Sequence, residues 1–343
     1  MKGSHRIVIE SARLKYEFVI RRNLTIIQGD SATGKTTLMD LLSDYRRGNA
    51  PIRLESDVPC EVFSGGGERW RAMLELIRDS IVFIDEGNRF IRTKEFADTV
   101  RNSSNYFVLI TREPLPELPY SIQEIYGIRT TGKYHFPEKI YHEFYPIYDG
   151  VSGETADGKA EKKMITEDSG AGNQFFQSFF QNAKDCIGAG GNSNVYRLMR
   201  IQDRETQLAV VADGAAFGAF AARVVAHARQ RGKTMLYFPE SFEWLILKSE
   251  VVADKAVEAI LRQPEEHIDS AVYMSWERFF TELLEKSTRD DPVRHYQKNS
   301  LSPFYVSNGV KGKVVKVMPE QMQTFLEMLE AREDMNQGLE SPE

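Results

Sequence analysis

Two glycines with four residues between them, followed by lysine and threonine, constrain this chain more than any other feature. Gly29-Asp30-Ser31-Ala32-Thr33-Gly34-Lys35-Thr36 follows the short apolar run Leu24-Thr25-Ile26-Ile27-Gln28. It precedes a segment in which Leu38, Leu41, Leu42 and Tyr45 recur at helical spacing. A strand, a glycine turn and a helix in that order form a cradle for phosphate. The glycines let backbone N–H groups approach an anion without side-chain clash, and the helix N-terminus adds its dipole. In such a loop Gly29 to Thr37 would line the phosphates, with Lys35 on the β- and γ-phosphates and the Thr36 hydroxyl on Mg²⁺. The plain alternative is a glycine turn with no ligand.

The segments around this loop alternate between strand and helix. Strands are expected at 6–10, 14–20, 24–28, 59–64, 80–85 and 106–111, and helices at 68–78 and 93–100. The helix at 68–78 would bury Trp70, Met73, Leu74 and Ile77 on one side. Alternation of this kind predicts an α/β domain with a mostly parallel sheet. Ile81-Val82-Phe83-Ile84-Asp85-Glu86 is an apolar strand ending in two acids. Asp85 would hold Mg²⁺ and Glu86 would take a proton from the attacking water. Thr111-Arg112 closes the next strand, where P-loop ATPases often place a γ-phosphate sensor, which makes Thr111 a further nucleotide contact. Asn-Lys-x-Asp, the base-reading motif of GTPases, is absent, so ATP is the expected nucleotide. Ser64-Gly65-Gly66-Gly67 resembles the signature loop of ABC-type ATPases. Only about 30 residues separate it from the first glycine loop, and a simple cap for the helix that starts at Glu68 explains it as well.

The polar, glycine-rich stretch 149–163 predicts a linker, dividing the chain into a domain at 1–148 and another at 164–331. An acidic tail at 332–343 would follow. The second domain again reads as α/β, with strands at 163–166, 208–212 and 234–238, and helices at 215–229 and around the stripe Phe175, Phe176, Phe179 and Phe180. That stripe reads as core, not as a base-stacking platform. A helical extension would carry Phe279, Phe280, Leu283 and Leu284, then Met322, Phe325, Leu326 and Leu329. Lys311, Lys313 and Lys316 alternate with small and apolar residues, which predicts a strand with solvated lysines.

Glu167, Asp213 and Glu240 fall at or just past the ends of three predicted strands, with Asp168 and Glu243 nearby. In a parallel sheet those ends share one edge, where ligands bind. Carboxylates gathered there suit Mg²⁺ or Mn²⁺. Ordinary capping of strand ends and helix N-termini is the bland alternative. No histidine cluster is present to hold zinc.

Three stretches carry a resemblance. Thr166-Glu167-Asp168-Ser169-Gly170, Val211-Ala212-Asp213-Gly214-Ala215-Ala216-Phe217-Gly218 and Pro239-Glu240-Ser241-Phe242-Glu243-Trp244-Leu245 together resemble a toprim domain over roughly residues 160–250. An ATPase followed by toprim is similar to OLD-family nucleases and to ATPase–toprim pairs of bacterial anti-phage systems. The resemblance implies that Glu167 is the first acid, Asp213 a metal ligand, and Glu240 or Glu243 the later acid. It also implies a metal-dependent nuclease controlled by nucleotide, or, if the second domain is inactive, a nucleotide-dependent switch that binds a partner. The usual Asp-x-Asp of toprim enzymes is here Asp213-Gly214-Ala215. The chain as a whole resembles a bacterial family of P-loop proteins, some labelled translation initiation factors. The absence of the GTPase motif argues against that role.

Charge and composition narrow the partners. The 343 residues carry 44 basic and 50 acidic side chains, a net charge of −6. Residues 1–150 hold 21 of each, so the remaining 23 and 29 account for the whole excess. Neither half has the basic footprint of a dedicated nucleic-acid binder. Nucleic acid, a second copy of the chain and another protein all remain open as partners. Two distant cysteines, Cys60 and Cys186, exclude a disulfide scaffold and suit a reducing cytoplasm. No apolar stretch approaches the ~20 residues of a membrane span.

Overall fold

The computed structural model describes residues 1–29, 34–49, 51–65, 67–131, 139–148, 151–152 and 160–337. The chain divides into two compact units, one of residues 1–149 with 262–275, the other of residues 150–261 with 276–343. Both are α/β. Residues 262–275, which the sequence reading leaves inside the second domain, count with the first. Within that first unit, Asn23 Nδ2 donates to Met274 O at 2.8 Å.

The first unit is built on a mixed sheet of nine strands among the described residues, ordered β4-β1-β2-β9-β8-β3-β7-β6-β5. These are β1 (His5–Glu10), β2 (Leu14–Ile20), β3 (Leu24–Ile27), β4 (Arg53–Glu55), β5 (Cys60–Phe63), β6 (Ile81–Ile84), β7 (Tyr106–Ile110), β8 (Ile125–Thr131) and β9 (Ile140–Pro146). The run β8-β3-β7-β6-β5 is parallel throughout. Its centre reads as almost wholly apolar sequence, Leu-Thr-Ile-Ile, Ile-Val-Phe-Ile and Tyr-Phe-Val-Leu-Ile, and every one of those residues is buried. Strands covered on both faces need no polar side. By contrast β2 alternates buried and open positions along Tyr16-Glu17-Phe18-Val19-Ile20 and pairs antiparallel with β1.

Helices α1 (Lys35–Arg47), α2 (Trp70–Leu74) and α3 (Lys94–Arg101) belong to this unit. Helix α1 buries Leu38, Met39 and Leu42. Gly48, at φ 66°, ends it by donating its N–H to Asp44 O and Tyr45 O, the left-handed cap that glycine makes without strain. Tyr45, expected on the core stripe, is exposed. Helix α2 is shorter than the sequence predicts. Trp70 and Leu74 are buried, whereas Met73 is 48% exposed. Helix α3 starts at Thr93, whose side chain accepts the N–H of Phe96.

In the second unit, five strands among the described residues run in the order β10-β14-β13-β11-β12. They are β10 (Val151–Ser152), β11 (Lys162–Thr166), β12 (Cys186–Gly188), β13 (Gln207–Val211) and β14 (Thr234–Tyr237). The four longer strands are parallel, and β10 lies antiparallel against β14. The expected linker at 149–163 thus contributes an edge strand; the rest of it up to 159 lies outside the described residues. Helices α4 (Ala171–Gln177), α5 (Asn192–Arg200), α6 (Gly218–Arg231) and α7 (Phe242–Lys248) surround the sheet. Then come α8 (Lys255–Arg262), α9 (Trp276–Thr288), α10 (Asn308–Lys316) and α11 (Glu320–Gln337). Phe175, Phe176 and Phe179 are core, as their stripe predicts.

Two expectations fail here. The lysine-rich segment is the helix α10, not a strand. Val310 and Val314, and Lys311 and Val315, repeat at i and i+4 on its buried side. Lys311 is buried too, with Nζ 4.2 Å from the centre of the Phe179 ring and 2.8 Å from Glu330 Oε1. The acidic tail also begins as helix, because α11 continues past residue 331 to Gln337.

Candidate functional site

In the first unit, the parallel sheet brings the sequence-flagged residues to one edge. Gly29 follows β3, Asp85 follows β6 and Thr111 follows β7, and β7 lies between the other two. Asp30, Ser31, Ala32 and Thr33 lie outside the described residues. Gly29 has φ 134° and Gly34 φ 98°, backbone regions that side chains disfavour. Gly34 is also tightly enclosed. A Cβ there would come within 2.8 Å of the Tyr16 hydroxyl. That hydroxyl donates to Gly34 O at 3.0 Å, and the Tyr16 ring stacks on His142 with centroids 4.3 Å apart. Burial raises the Tyr16 phenol to about 12, against a hydrogen bond with Thr37 that lowers it. Tyr16 therefore stays a neutral donor that fixes the glycine turn.

Lys35 is buried, and its Nζ donates to Gly29 O at 2.6 Å, closing the ends of the loop on each other. Beside it is a cavity of about 550 Å³ whose walls include Gly34, Lys35, Thr36, Asp85, Glu86 and Arg112. Thr37 lines it as well, with Leu14, Ile110 and His142 supplying a less polar wall. Asp85 Oδ1 accepts the N–H of Glu86 at 2.8 Å. Glu86 Oε2 lies 3.6 Å from Arg112 Nε. Thr111 is fully buried, and its hydroxyl bonds the backbone of Glu113 both ways, at 2.9 and 3.1 Å. Thr111 thus shapes the turn, and the residue after it, Arg112, reaches the cavity. Gly65 N donates to Asn88 Oδ1 at 3.0 Å; Gly66 lies outside the described residues.

In the second unit the ends of β11 and β13 come together. Asp213 N donates to Glu167 Oε2 at 2.9 Å. The Asn192 amide, oriented to donate, faces both Glu167 oxygens at 2.9 and 2.6 Å. Phe242 N donates to Asp213 Oδ1 at 3.2 Å. Asp168 instead caps α4, accepting from Gly172 N and Asn173 N. Burial pushes the Glu167 carboxyl up to about 8, with the charges of Glu277 and Asp168 adding to the shift. Burial also holds Asp213 well above the usual carboxylate range, and Glu277, Glu167, Glu243 and Asp168 all repel its charge.

After β14, Glu240 and Glu243 are both buried. The Glu240 backbone carbonyl accepts Ala215 N at 3.2 Å. The Glu243 carboxylate acts on Asp213. Ser241 Oγ accepts Trp244 N at 3.1 Å and starts α7, which puts Glu243 in its first turn, 2% exposed. Glu243 Oε1 accepts the Tyr296 hydroxyl at 2.7 Å, while Oε2 is buried without a hydrogen-bond partner. Burial raises Glu243 as well. Glu277 and Tyr296 carry no motif and come from a region remote in sequence, so nothing in the sequence flags them.

Among the described residues, no group of three or more His, Cys, Asp or Glu side chains could hold a metal ion. The space beside Thr166, Glu167, Asp213 and Pro239 is about 20 Å³, close to that of one water. No helix among the described residues is long and apolar enough to cross a membrane. No protein-family model matches the chain, and no curated protein matches it closely.

Proposed function

We propose that the first unit binds ATP with Mg²⁺ and hydrolyses it. One observation carries the reading: Gly34 and Lys35, at the start of the helix that follows a central parallel strand, line the same cavity as Asp85 and Glu86. The cavity is large enough for a nucleotide. The residues present suit the metal. Thr36 lines the cavity, and Asp85 commits one oxygen to Glu86 N–H, leaving the other for a water or ion. Mg²⁺ bound there would neutralise charge on the β- and γ-phosphate oxygens. Lys35 would exchange the Gly29 carbonyl for phosphate oxygens. Glu86 would orient the attacking water and take its proton, with Arg112 setting the position of its carboxylate. Glu86→Gln tests this. ATP affinity should stay within about threefold, while turnover falls by about 10²–10⁴, the usual range for a lost general base. Loss of affinity with turnover intact would refute the assignment.

The second unit, by its resemblance to toprim, is read as a phosphodiester-handling module whose state follows the nucleotide. The resemblance assigns Glu167 and Asp213 to a divalent cation, but no group of three or more His, Cys, Asp or Glu among the described residues could hold one, so this unit is assigned no metal-borne step. The buried Ala215, where toprim enzymes carry a second aspartate, favours the other reading, a nucleotide-dependent switch with an inactive second unit. Plasmid, single-stranded DNA and tRNA offered with Mg²⁺ or Mn²⁺, with and without ATP, separate the two. Cutting that disappears in Asp213→Ala supports the nuclease. Intact substrates throughout support the switch.

A further inference from the structure

The acidic excess of the second unit is unevenly spread. Residues 151–343 hold 23 basic and 29 acidic side chains. Yet α5 and α6 together carry five arginines and no aspartate or glutamate. The two helices pack against each other. Arg197 and Arg200 are exposed on α5, and Arg223 and Arg229 flank Ala226 on the exposed side of α6. The fifth, Arg231, is spent inside the fold, donating to Thr206 O at 2.6 Å and Thr234 Oγ1 at 2.9 Å.

Two of the exposed arginines are held in place. The guanidinium groups of Arg200 and Arg223 lie 5.9 and 5.5 Å from the centre of the Tyr196 ring. Arg223 also lies 5.1 Å from the centre of the Phe220 ring. His227 meets Tyr196 edge-on, with centroids 5.5 Å apart. Tyr196 is thus a shelf on which an arginine from each helix rests.

None of the four exposed arginines pairs with a carboxylate among the described residues. Other cations of the same unit do: Lys163, Lys233, Lys286 and Arg294 each have an acidic partner. The helix dipole accounts for cations in a last turn, and Arg197, Arg200 and Arg229 are so placed. Arg223 is not. It lies eight residues before the end of α6, beyond the reach of that effect.

We propose that the α5–α6 face is a docking surface for the phosphodiester backbone of a nucleic acid, held by Arg197, Arg200, Arg223 and Arg229. Charge complementarity carries the assignment, because four guanidinium groups without acidic partners share one face of a unit that is acidic as a whole. A guanidinium offers paired donors that match phosphate oxygens, and one already resting on a ring loses less freedom on binding. Contacts to phosphate carry no base sequence. The surface needs neither ATP nor a metal, and it stands whether or not the second unit cuts what it holds.

The test is fluorescence anisotropy of a short labelled single strand and of the matching duplex, titrated with the full chain in EDTA without nucleotide. Both should bind at low salt. Log affinity should fall against log salt with a slope of up to about −3, at ~0.7–0.9 for each of the phosphates held. Arg200→Glu with Arg223→Glu should weaken binding by about tenfold or more and flatten that slope. Arg200→Gln with Arg223→Gln should act in the same direction, and it decides should the charge reversal fail to fold. Arg289→Glu, an exposed position just past α9, should change affinity by less than about twofold. No binding of either strand form, or binding that survives both double variants, would overturn the proposal. An equal loss in Arg289→Glu would overturn it too, by showing that total charge and not this face sets the affinity. Binding to phosphatidylserine vesicles with both nucleic acids left free would assign the face to a membrane instead.

Discussion

Arg112 Nε stands 3.6 Å from Glu86 Oε2, an ion pair that joins the ends of the adjacent strands β7 and β6. Both side chains are well exposed, at 53% and 39%. Pairs of that kind contribute only ~0–1 kcal/mol to folding, so the contact matters for where it holds Glu86. Arg112→Ala should shift the melting temperature little and lower ATP turnover at least tenfold. A large loss of stability with turnover unchanged would show that the pair is structural.

Gly34 is constrained twice, by its φ of 98° and by the Tyr16 hydroxyl 2.8 Å from any added Cβ. A left-handed residue with a side chain costs ~1–2 kcal/mol before any clash. Gly34→Ala should destabilise the protein by about that much or more and abolish nucleotide binding. Adding Tyr16→Phe should return part of the stability by removing the hydroxyl, but not the binding. Full recovery of stability in the double variant would mean that the backbone conformation is not strained.

The carboxylates of the second unit make stability depend on pH. Glu167 is raised to about 8, and Asp213 and Glu243 are raised as well. The unfolded value is ~4.3. A carboxyl whose folded value lies above its unfolded one binds its proton more tightly when folded. Its contribution is fully present below about pH 4, and is lost as pH rises through 8. The metal-free protein should therefore melt lower at pH 8 than at pH 6, and Glu167→Gln should flatten that difference. An equal slope in Glu167→Gln would contradict the burial account.

Much of the first unit was legible because its central strands are buried on both faces, so β3, β6 and β7 read as plain apolar runs bounded by turns. The pairing of β9 with β2 was not. It joins Leu14–Glu17 to Ile140–Glu143 across more than a hundred residues, and nothing local encodes it. In Lys311–Lys316 two periods fit the same letters, and burial against Phe179 selected the helix. At the acidic site, strand ends marked Glu167 and Asp213, whose backbone contact the structure shows. They did not show that the cap at Ser241 brings Glu243 into the first turn of α7. Glu277 and Tyr296 reach the cluster only through tertiary folding.

The most direct measurement is the ATP affinity of Lys35→Ala beside the unaltered chain, by equilibrium binding with Mg²⁺ present. Lys35 Nζ now rests 2.6 Å from Gly29 O, at the mouth of the loop where the phosphates would enter. A charge-assisted contact to an anion contributes ~1.5–3 kcal/mol, roughly a ten- to hundredfold change in affinity. The unaltered chain should bind ATP, and Lys35→Ala should lose at least tenfold in affinity together with its turnover. Equal affinity and turnover in the two proteins would contradict the account at its centre.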